Sequence, residues 1–220
     1  QRLVSAQAGD GIAVFAVEIK DRNGGSIQRP SEMALAPERF GWQALGGPAI
    51  ATLVAAGRRE ALAGALSWLG YRVMIRNGYA TPVWWGYIEE VLLNLGEYAV
   101  GVSLEPMYNR VAVAYTYTDV DNQLQRGTTG FAENAVMAAR YGRKELLHSY
   151  SDLESLADAE GLAQTLVDRL GAPGTYVRPS SGPADTAQIR CRGDYAKTAW
   201  QYAKILAGRE AHESYFADQV

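Results

Sequence analysis

Acidic side chains are the first candidates for chemistry in this chain. Glu89 and Glu90 are adjacent, and Glu97 follows seven positions after Glu90. Two carboxylates that face each other across a sugar can hydrolyse a glycosidic bond, so a cell-wall hydrolase is the enzymatic alternative. Neighbouring residues of a strand, however, point to opposite faces. The spacing therefore favours exposed charges on a sheet or at a subunit contact.

The candidates for a nucleophile or a metal ligand are few. Cys191 is the only cysteine and lies between Arg190 and Arg192, whose charges could lower the thiol pKa. A small residue packed in a strand is the favoured interpretation. His148 and His212 are the only histidines, and neither has a partner at a metal-binding spacing. The sequence predicts no catalytic residue, no cofactor and no metal.

Composition limits the class of partner. The chain has 220 residues, 48% of them hydrophobic, which is enough for a sizeable core. Its net charge of -3 argues against specific nucleic-acid binding, which needs clustered Lys and Arg. No apolar run is long enough to span a bilayer. Gly46-Gly47-Pro48 lacks the Lys-Ser/Thr end of a phosphate-binding loop and is interpreted as a bend before a strand.

Aromatic residues are concentrated in the middle of the chain. Large aromatic side chains anchor both cores and protein interfaces, which is the favoured role here. A carbohydrate-binding β-module for host attachment, with sugars stacked on exposed Trp and Tyr, is the alternative. Trp84 and Trp85 face opposite ways on a strand, so at most one is core if the other meets solvent or a partner. The candidate interface residues are Trp84, Trp85, Tyr87, Tyr108, Arg110 and Tyr115.

Hydrophobic periodicity predicts an α+β fold that is mainly antiparallel β. Residues 1–127 are predicted to form a β-barrel domain with an inserted helix at 58–69. Residues 128–220 are predicted to form an extension of helices and strands. Its clearest element is an amphipathic helix at 151–170, capped by Ser151 and Glu154. Strands are predicted over 12–19, 49–55, 71–76, 81–95, 97–104, 110–118, 143–149 and 186–193, a short helix over 132–141, and turns at 21–26 and at Asn77-Gly78.

One combination of motifs resembles a known family. Residues 46–91 read GGPAIATLVAAGRREALAGALSWLGYRVMIRNGYATPVWWGYIEEV. This segment resembles the hub or tail-tip proteins of tailed phages, in which a Gly-Gly-Pro strand leads to a helix and then to a hairpin ending in P-V-W-W-G-Y. The likeness covers roughly residues 40 to 205. Further matches are Met107-Tyr108-Asn109-Arg110-Val111, Tyr115, Tyr141-Gly142-Arg143, the alanine-rich helix, Ile189–Gly193 and Trp200-Gln201-Tyr202.

The resemblance implies a structural protein of the virion, made in the host cytoplasm and assembled at the phage tail tip. Hub proteins form rings that join the tail tube to the distal tip and surround the path of DNA ejection. Two tube-like barrels per chain would give a trimer, whereas one barrel makes a hexamer equally plausible. The implied partners are further copies of the chain, the distal tail protein, the tail tube protein and the tape measure protein. A distal tail or tube-like ring protein is a close alternative.

Overall fold

The fold is α+β and mainly antiparallel β, as predicted, with 51% of the chain in strands. A computed structural model describes residues 4–8, 11–43, 47–151, 153, 155–180 and 182–194. Within these residues no helix is both long enough and apolar enough to cross a membrane. The elements are β1 (Val4–Ala8), β2 (Gly11–Lys20), β3 (Met33–Gln43), β4 (Gly47–Gly57), α1 (Arg59–Gly64) with a 3-10 turn (Ala65–Trp68), β5 (Arg72–Arg76), β6 (Pro82–Asn94), β7 (Tyr98–Ser103), β8 (Arg110–Thr118), β9 (Leu124–Thr128), β10 (Ala132–Glu133), α2 (Ala135–Tyr141), β11 (Glu145–Tyr150), α3 (Leu156–Leu170), β12 (Gly174–Pro179) and β13 (Thr186–Gly193).

The chain divides into two compact units. The first comprises residues up to Gly101 and those from Tyr176 onward, and the second comprises Val102–Thr175. The boundary predicted at residue 127 falls inside the second unit, because the chain leaves the first unit within β7 and returns to it within β12.

The first unit is built on a nine-stranded sheet. Its strand order is β1-β2-β5-β6-β13-β4-β3, and β7 pairs with both β6 and β12. The sheet curls, so that β3 at one end approaches β1 and β2 at the other. Phe15 and Phe40 meet edge to face across this gap, with ring centroids 5.1 Å apart.

Alternation along β13 places its apolar side chains on one face of the sheet. In β13 the buried residues are Ala187, Ile189 and Cys191, and they alternate with Gln188, Arg190 and Arg192 on the other face. This strand begins and ends as predicted from its alternating pattern. The strand β3 was not predicted, because Pro37 interrupts its pattern. Proline is tolerated there since β3 is an edge strand.

The second unit is a four-stranded sheet covered by a helix. The central strand is β8, which pairs antiparallel with β9 and β10 on one side and parallel with β11 on the other. Helix α3 packs Ala159 and Ala163 against Val113 and Tyr115 of β8. The small alanine side chains let the helix lie close to the sheet.

Helix α3 begins later than predicted, at Leu156. Its N-cap is Ser155, whose Oγ accepts a hydrogen bond from the backbone N–H of Asp158 at 3.2 Å. Ser151 therefore does not cap the helix, and Glu154 lies outside the described residues. The prediction was wrong because the pattern Ser-x-x-acid occurs twice in succession, and only the second copy adjoins the first buried helical residue, Ala159.

Three hairpin loops share one hydrogen-bonded design. Asp21, Asn77 and Asp119 each accept, through Oδ1, the backbone N–H groups two and four positions ahead, at 2.8–3.0 Å. In each loop the fourth residue has positive φ: Gly24 at 89°, Ala80 at 62° and Asn122 at 60°. The predicted tight turn at Asn77-Gly78 is therefore wrong. Asn77 anchors a wider loop, and the left-handed position is Ala80.

Replacing Ala80 with glycine should stabilise the chain. A side chain in the left-handed region crowds the following carbonyl, and glycine avoids a cost of about 1 kcal/mol there. We expect Ala80→Gly to raise the free energy of unfolding by about 0.5–1 kcal/mol in urea denaturation. Ala34→Gly, in exposed strand conformation, is the control and should lower it. A loss of stability in Ala80→Gly would contradict the expectation.

Candidate functional site

The two tryptophans of the candidate interface lie inside the first unit. Trp84 has no exposed surface and Trp85 is 5% exposed. They point to opposite faces of β6, but Trp42 from the end of β3 packs edge to face on Trp85, with centroids 4.9 Å apart. The Trp42 indole N–H donates to the carbonyl oxygen of Val83 at 2.7 Å. The expectation that at most one of the pair is core failed because a third indole covers the second.

The other four candidate residues have mixed exposure. Tyr87 of β6 is half-buried, whereas Tyr108, Arg110 and Tyr115 belong to the second unit. Tyr115 is buried and packs on Gly127 of β9. Three of the six candidates thus lie in one unit and three in the other, and most of their surface is occupied within the chain.

Tyr108 and Arg110 each take part in local contacts of the second unit. The Lys144 ammonium lies 4.9 Å from the Tyr108 ring centroid, and its Nζ donates to the carbonyls of Leu104 and Glu105. Arg110 forms an ion pair with Glu145 and lies over the Phe131 ring at 4.4 Å. These contacts hold both side chains against neighbouring segments of the second unit.

The most concentrated set of charges in the first unit surrounds Glu89. Its Oε2 accepts from Nε and Nη2 of Arg190 at 3.2 and 2.9 Å, and its Oε1 accepts from Nη1 of Arg192 at 3.0 Å. The Glu89 side chain is only 5% exposed, whereas Arg190 is 33% and Arg192 50% exposed. A buried carboxylate is thus held by two guanidinium groups that reach toward solvent.

A β-bulge explains why Glu89 and Glu90 can share a partner. In the ladder between β6 and β13, Arg190 pairs with Glu90 but Cys191 pairs with Ile88, so Glu89 is an extra residue. Such an extra residue re-aims its side chain. Arg190 consequently contacts Glu89 and also lies 3.8 Å from Glu90. The prediction of exposed charges was therefore wrong for Glu89, since simple alternation does not hold at the bulge.

Glu90 has a second partner on β12. The Tyr176 hydroxyl donates to Oε1 of Glu90, and the Tyr176 ring lies on Gly101, where a Cβ would overlap it. Burial, together with this hydrogen bond to a carboxylate, raises the pKa of Tyr176 to about 12. The phenol therefore remains a proton donor throughout the physiological range.

The electrostatics of the cluster keep Glu89 ionised. Burial acts to raise its pKa, but the hydrogen bonds and charges of Arg190 and Arg192 outweigh burial, and the pKa lies below the usual value. Cys191 behaves in the opposite way, because burial and the Glu89 charge both raise its thiol pKa. The interpretation of Cys191 as a packed strand residue is confirmed by its full burial.

The remaining candidates lie apart from this cluster. Glu97 is exposed in the turn before β7, and His148 is half-buried on β11, in the other unit. His212 and Gly46 lie outside the described residues, while Gly47 begins β4 with a φ of 82°. In the described part of the chain, no three His, Cys, Asp or Glu side chains converge as a metal site would require.

Sequence reasoning missed the residues that complete the cluster. The sequence pattern identifies Arg190 and Arg192 only beside Cys191 and within the Ile189–Gly193 motif, and it does not point to Tyr176. The available signal was the Arg-x-Arg spacing, which puts both guanidinium groups on one face of a strand. The spacing does not indicate that β13 pairs with β6, a strand about 100 residues earlier in the chain. Comparisons with models of protein families, with curated proteins and with solved structures found no match for this chain.

Proposed function

We propose that this chain is a structural protein of a phage tail tip, a hub-like ring component that joins the tail tube to the distal tip. In this proposal the curled sheet of the first unit corresponds to a tail-tube or hub-type barrel, and neighbouring copies complete the DNA conduit. The distal tail protein, the tail tube protein and the tape measure protein are the proposed partners. The ring contains three copies, or six if each chain contributes one barrel.

The observation that carries the proposal is where the hub-like residues lie. Within residues 46–91, Gly47 and Pro48 lie on β4, Trp68 ends the 3-10 turn, and residues 82–87 lie on β6, which are elements of the curled sheet and the turn beside it. Trp84 fills the core, and Gly86 lies where a Cβ would overlap the carbonyl of Arg192. The residues that carry the resemblance thus have packing roles, as a shared architecture would require.

The state of the carboxylates also favours a structural role. Glycoside hydrolysis needs a carboxylic acid that keeps its proton near neutral pH. Glu89 instead has a lowered pKa, and both guanidinium partners bind its charged form. The cluster therefore suits the joining of β6 to β13 better than it suits proton transfer.

Burial weakens the case for the carbohydrate-binding alternative. Stacking on a sugar needs an exposed aromatic face, and neither Trp84 nor Trp85 offers one. Exposed aromatics do occur at Tyr79, Tyr98 and Trp42, but the Trp42 ring already packs on Trp85 and its N–H is bonded to the carbonyl of Val83. They do not form the stacked platform predicted for Trp84 and Trp85.

The mass of the purified full chain in solution tests the proposal. Native mass spectrometry and negative-stain imaging should show rings of three or six copies, and mass spectrometry of intact virions should detect the chain. The position of the ring in labelled particles separates a hub from a distal tail or tube-like ring protein. A strict monomer that is absent from virions would overturn the proposal.

A further inference from the structure

The second unit has an edge strand without the usual protection. Edge strands that should stay unpaired commonly carry proline, lysine or bulges, or are very short. In the first unit, β3 carries Pro37 and two register shifts, and within the second unit β10 has two residues. β11 has six residues, without proline or lysine, and among the described strands it pairs with β8 alone.

Both sides of this sheet expose large apolar side chains. On β11, Leu147 is 60% and Tyr150 is 48% exposed. At the opposite side, Leu124 of β9 is 71% exposed, and Val120 in the loop before it is fully exposed. Exposed apolar groups at unprotected strand edges are typical of surfaces that pair with another chain.

The two edges carry apolar and oppositely charged residues on one face of the sheet. In the ladder between β11 and β8, Leu147 is opposite Ala112, and in the ladder between β9 and β8, Leu124 is opposite Thr118. Ala112 and Thr118 are six positions apart on β8, an even offset, so their side chains and the two leucines paired with them lie on the same face of the sheet. Glu145 and Arg126 lie on that face too, each two positions from its leucine.

We propose that β11 of one copy pairs with β9 of the next copy, so that the four-stranded sheets join into one sheet around the ring. β11 runs parallel to β8 and β9 runs antiparallel to it. Copies that point the same way along the ring axis therefore meet as an antiparallel ladder, the pairing with the better hydrogen bonds. One register brings Leu147 opposite Leu124 and Glu145 opposite Arg126, so apolar and opposite charges match across the contact. This register displaces neighbouring copies by six residues along the strand, so in a closed ring the strands are tilted against the ring axis, as in a barrel.

This inference rests on the proposed ring, but it assigns the contact to particular strands. A contact between different edges leaves a free β11 on one side and a free β9 on the other until the ring closes. A two-fold pairing of β11 with itself would stop at a dimer and leave β9 unpaired. The two arrangements give different cross-linking patterns.

Cysteine cross-linking of the full chain tests the assignment. The double variant Leu124→Cys, Leu147→Cys should form, under mild oxidation, a ladder of disulfide-linked species up to the number of copies in the ring. Each single variant should give no such ladder. A disulfide within one chain is excluded by geometry, because the two positions lie on opposite sides of β8 and are offset by six residues, about 20 Å along it.

Charge at Arg126 provides a second readout. Arg126→Glu places two carboxylates opposite each other and should weaken association at least tenfold, measured by sedimentation of a dilution series. Arg126→Lys keeps the charge and should leave the ring intact. Arg126 is exposed, so both variants should fold, which circular dichroism checks.

The outcomes separate this inference from the proposed function. A ring whose double-cysteine variant forms no ladder, or whose Arg126→Glu variant assembles normally, overturns the strand assignment and leaves the proposed function in place. Covalent dimers formed by Leu147→Cys alone, as fully as by the double variant, overturn it in favour of two-fold pairing. A wild-type chain that stays monomeric and is absent from virions removes both.

Discussion

Replacing Gly86 with alanine is expected to lower the free energy of unfolding by about 3 kcal/mol or more, because the new Cβ has no space. It would overlap the carbonyl oxygen of Arg192 in the paired strand β13 and the ring of Trp84. Neither obstacle is the end of a flexible side chain, so β6 and β13 would have to separate locally. Urea denaturation followed by tryptophan fluorescence measures the change.

Gly41 supplies the matched control for this substitution. It also lies within a strand of the first unit, but a Cβ there meets nothing within 4 Å. Gly41→Ala should therefore change stability by less than about 0.5 kcal/mol, or increase it slightly. Equal losses in both variants would show that close approach at Gly86 does not govern the effect.

Removal of Arg190 is expected to have the second largest effect. Arg190→Met removes two hydrogen bonds to Glu89 and the ion pair with Glu90, and it leaves Glu89 with Arg192 as its guanidinium partner. Removing one partner of a buried ion pair leaves the other charge buried without full compensation. We expect a loss of about 2 kcal/mol at pH 7. The double variant Glu89→Met, Arg190→Met should recover part of it, since no buried carboxylate then remains unpaired.

The pH dependence of the same variant gives an independent check. In the wild type the folded pKa of Glu89 is lowered, so its stabilisation is present above the unfolded value of about 4.3 and is lost as the pH falls through the folded value. In Arg190→Met the effect of burial should prevail and raise that pKa. The folded variant would then bind more protons than its unfolded state. Its deficit relative to the wild type should shrink between pH 7 and pH 5, and a constant deficit would contradict this account.

The sequence predicted the fold best where local pattern and tertiary structure agree. β8 and β13 were placed at their observed ends because each alternates along its length and is paired on both sides. β3 was missed since its proline and its bulges hide the alternation, and the proline is tolerated because β3 is an edge strand. The start of helix α3 was predicted too early because the capping pattern occurs twice. Only the burial of Ala159 shows that the second copy caps the helix.

The charge cluster was harder to predict for a physical reason. Its central residue, Glu89, points toward Arg190 because β6 has an extra residue in its ladder with β13. No local sequence pattern predicts this bulge. Trp85 was equally hard to place in the core, because Trp42, which covers it, is remote in sequence. Both outcomes depend on which strands become neighbours, and that information lies in long-range pairing.

The burial of Cys191 makes β13 a natural reporter of local opening. The only thiol of the chain has no exposed surface and lies on a strand held between β4 and β6. A maleimide or a disulfide reagent can therefore reach it only when the central strand detaches. The alkylation rate of the unmodified protein would measure how often that event occurs, and comparison with amide exchange along β13 would show whether the strand leaves alone or together with the whole sheet.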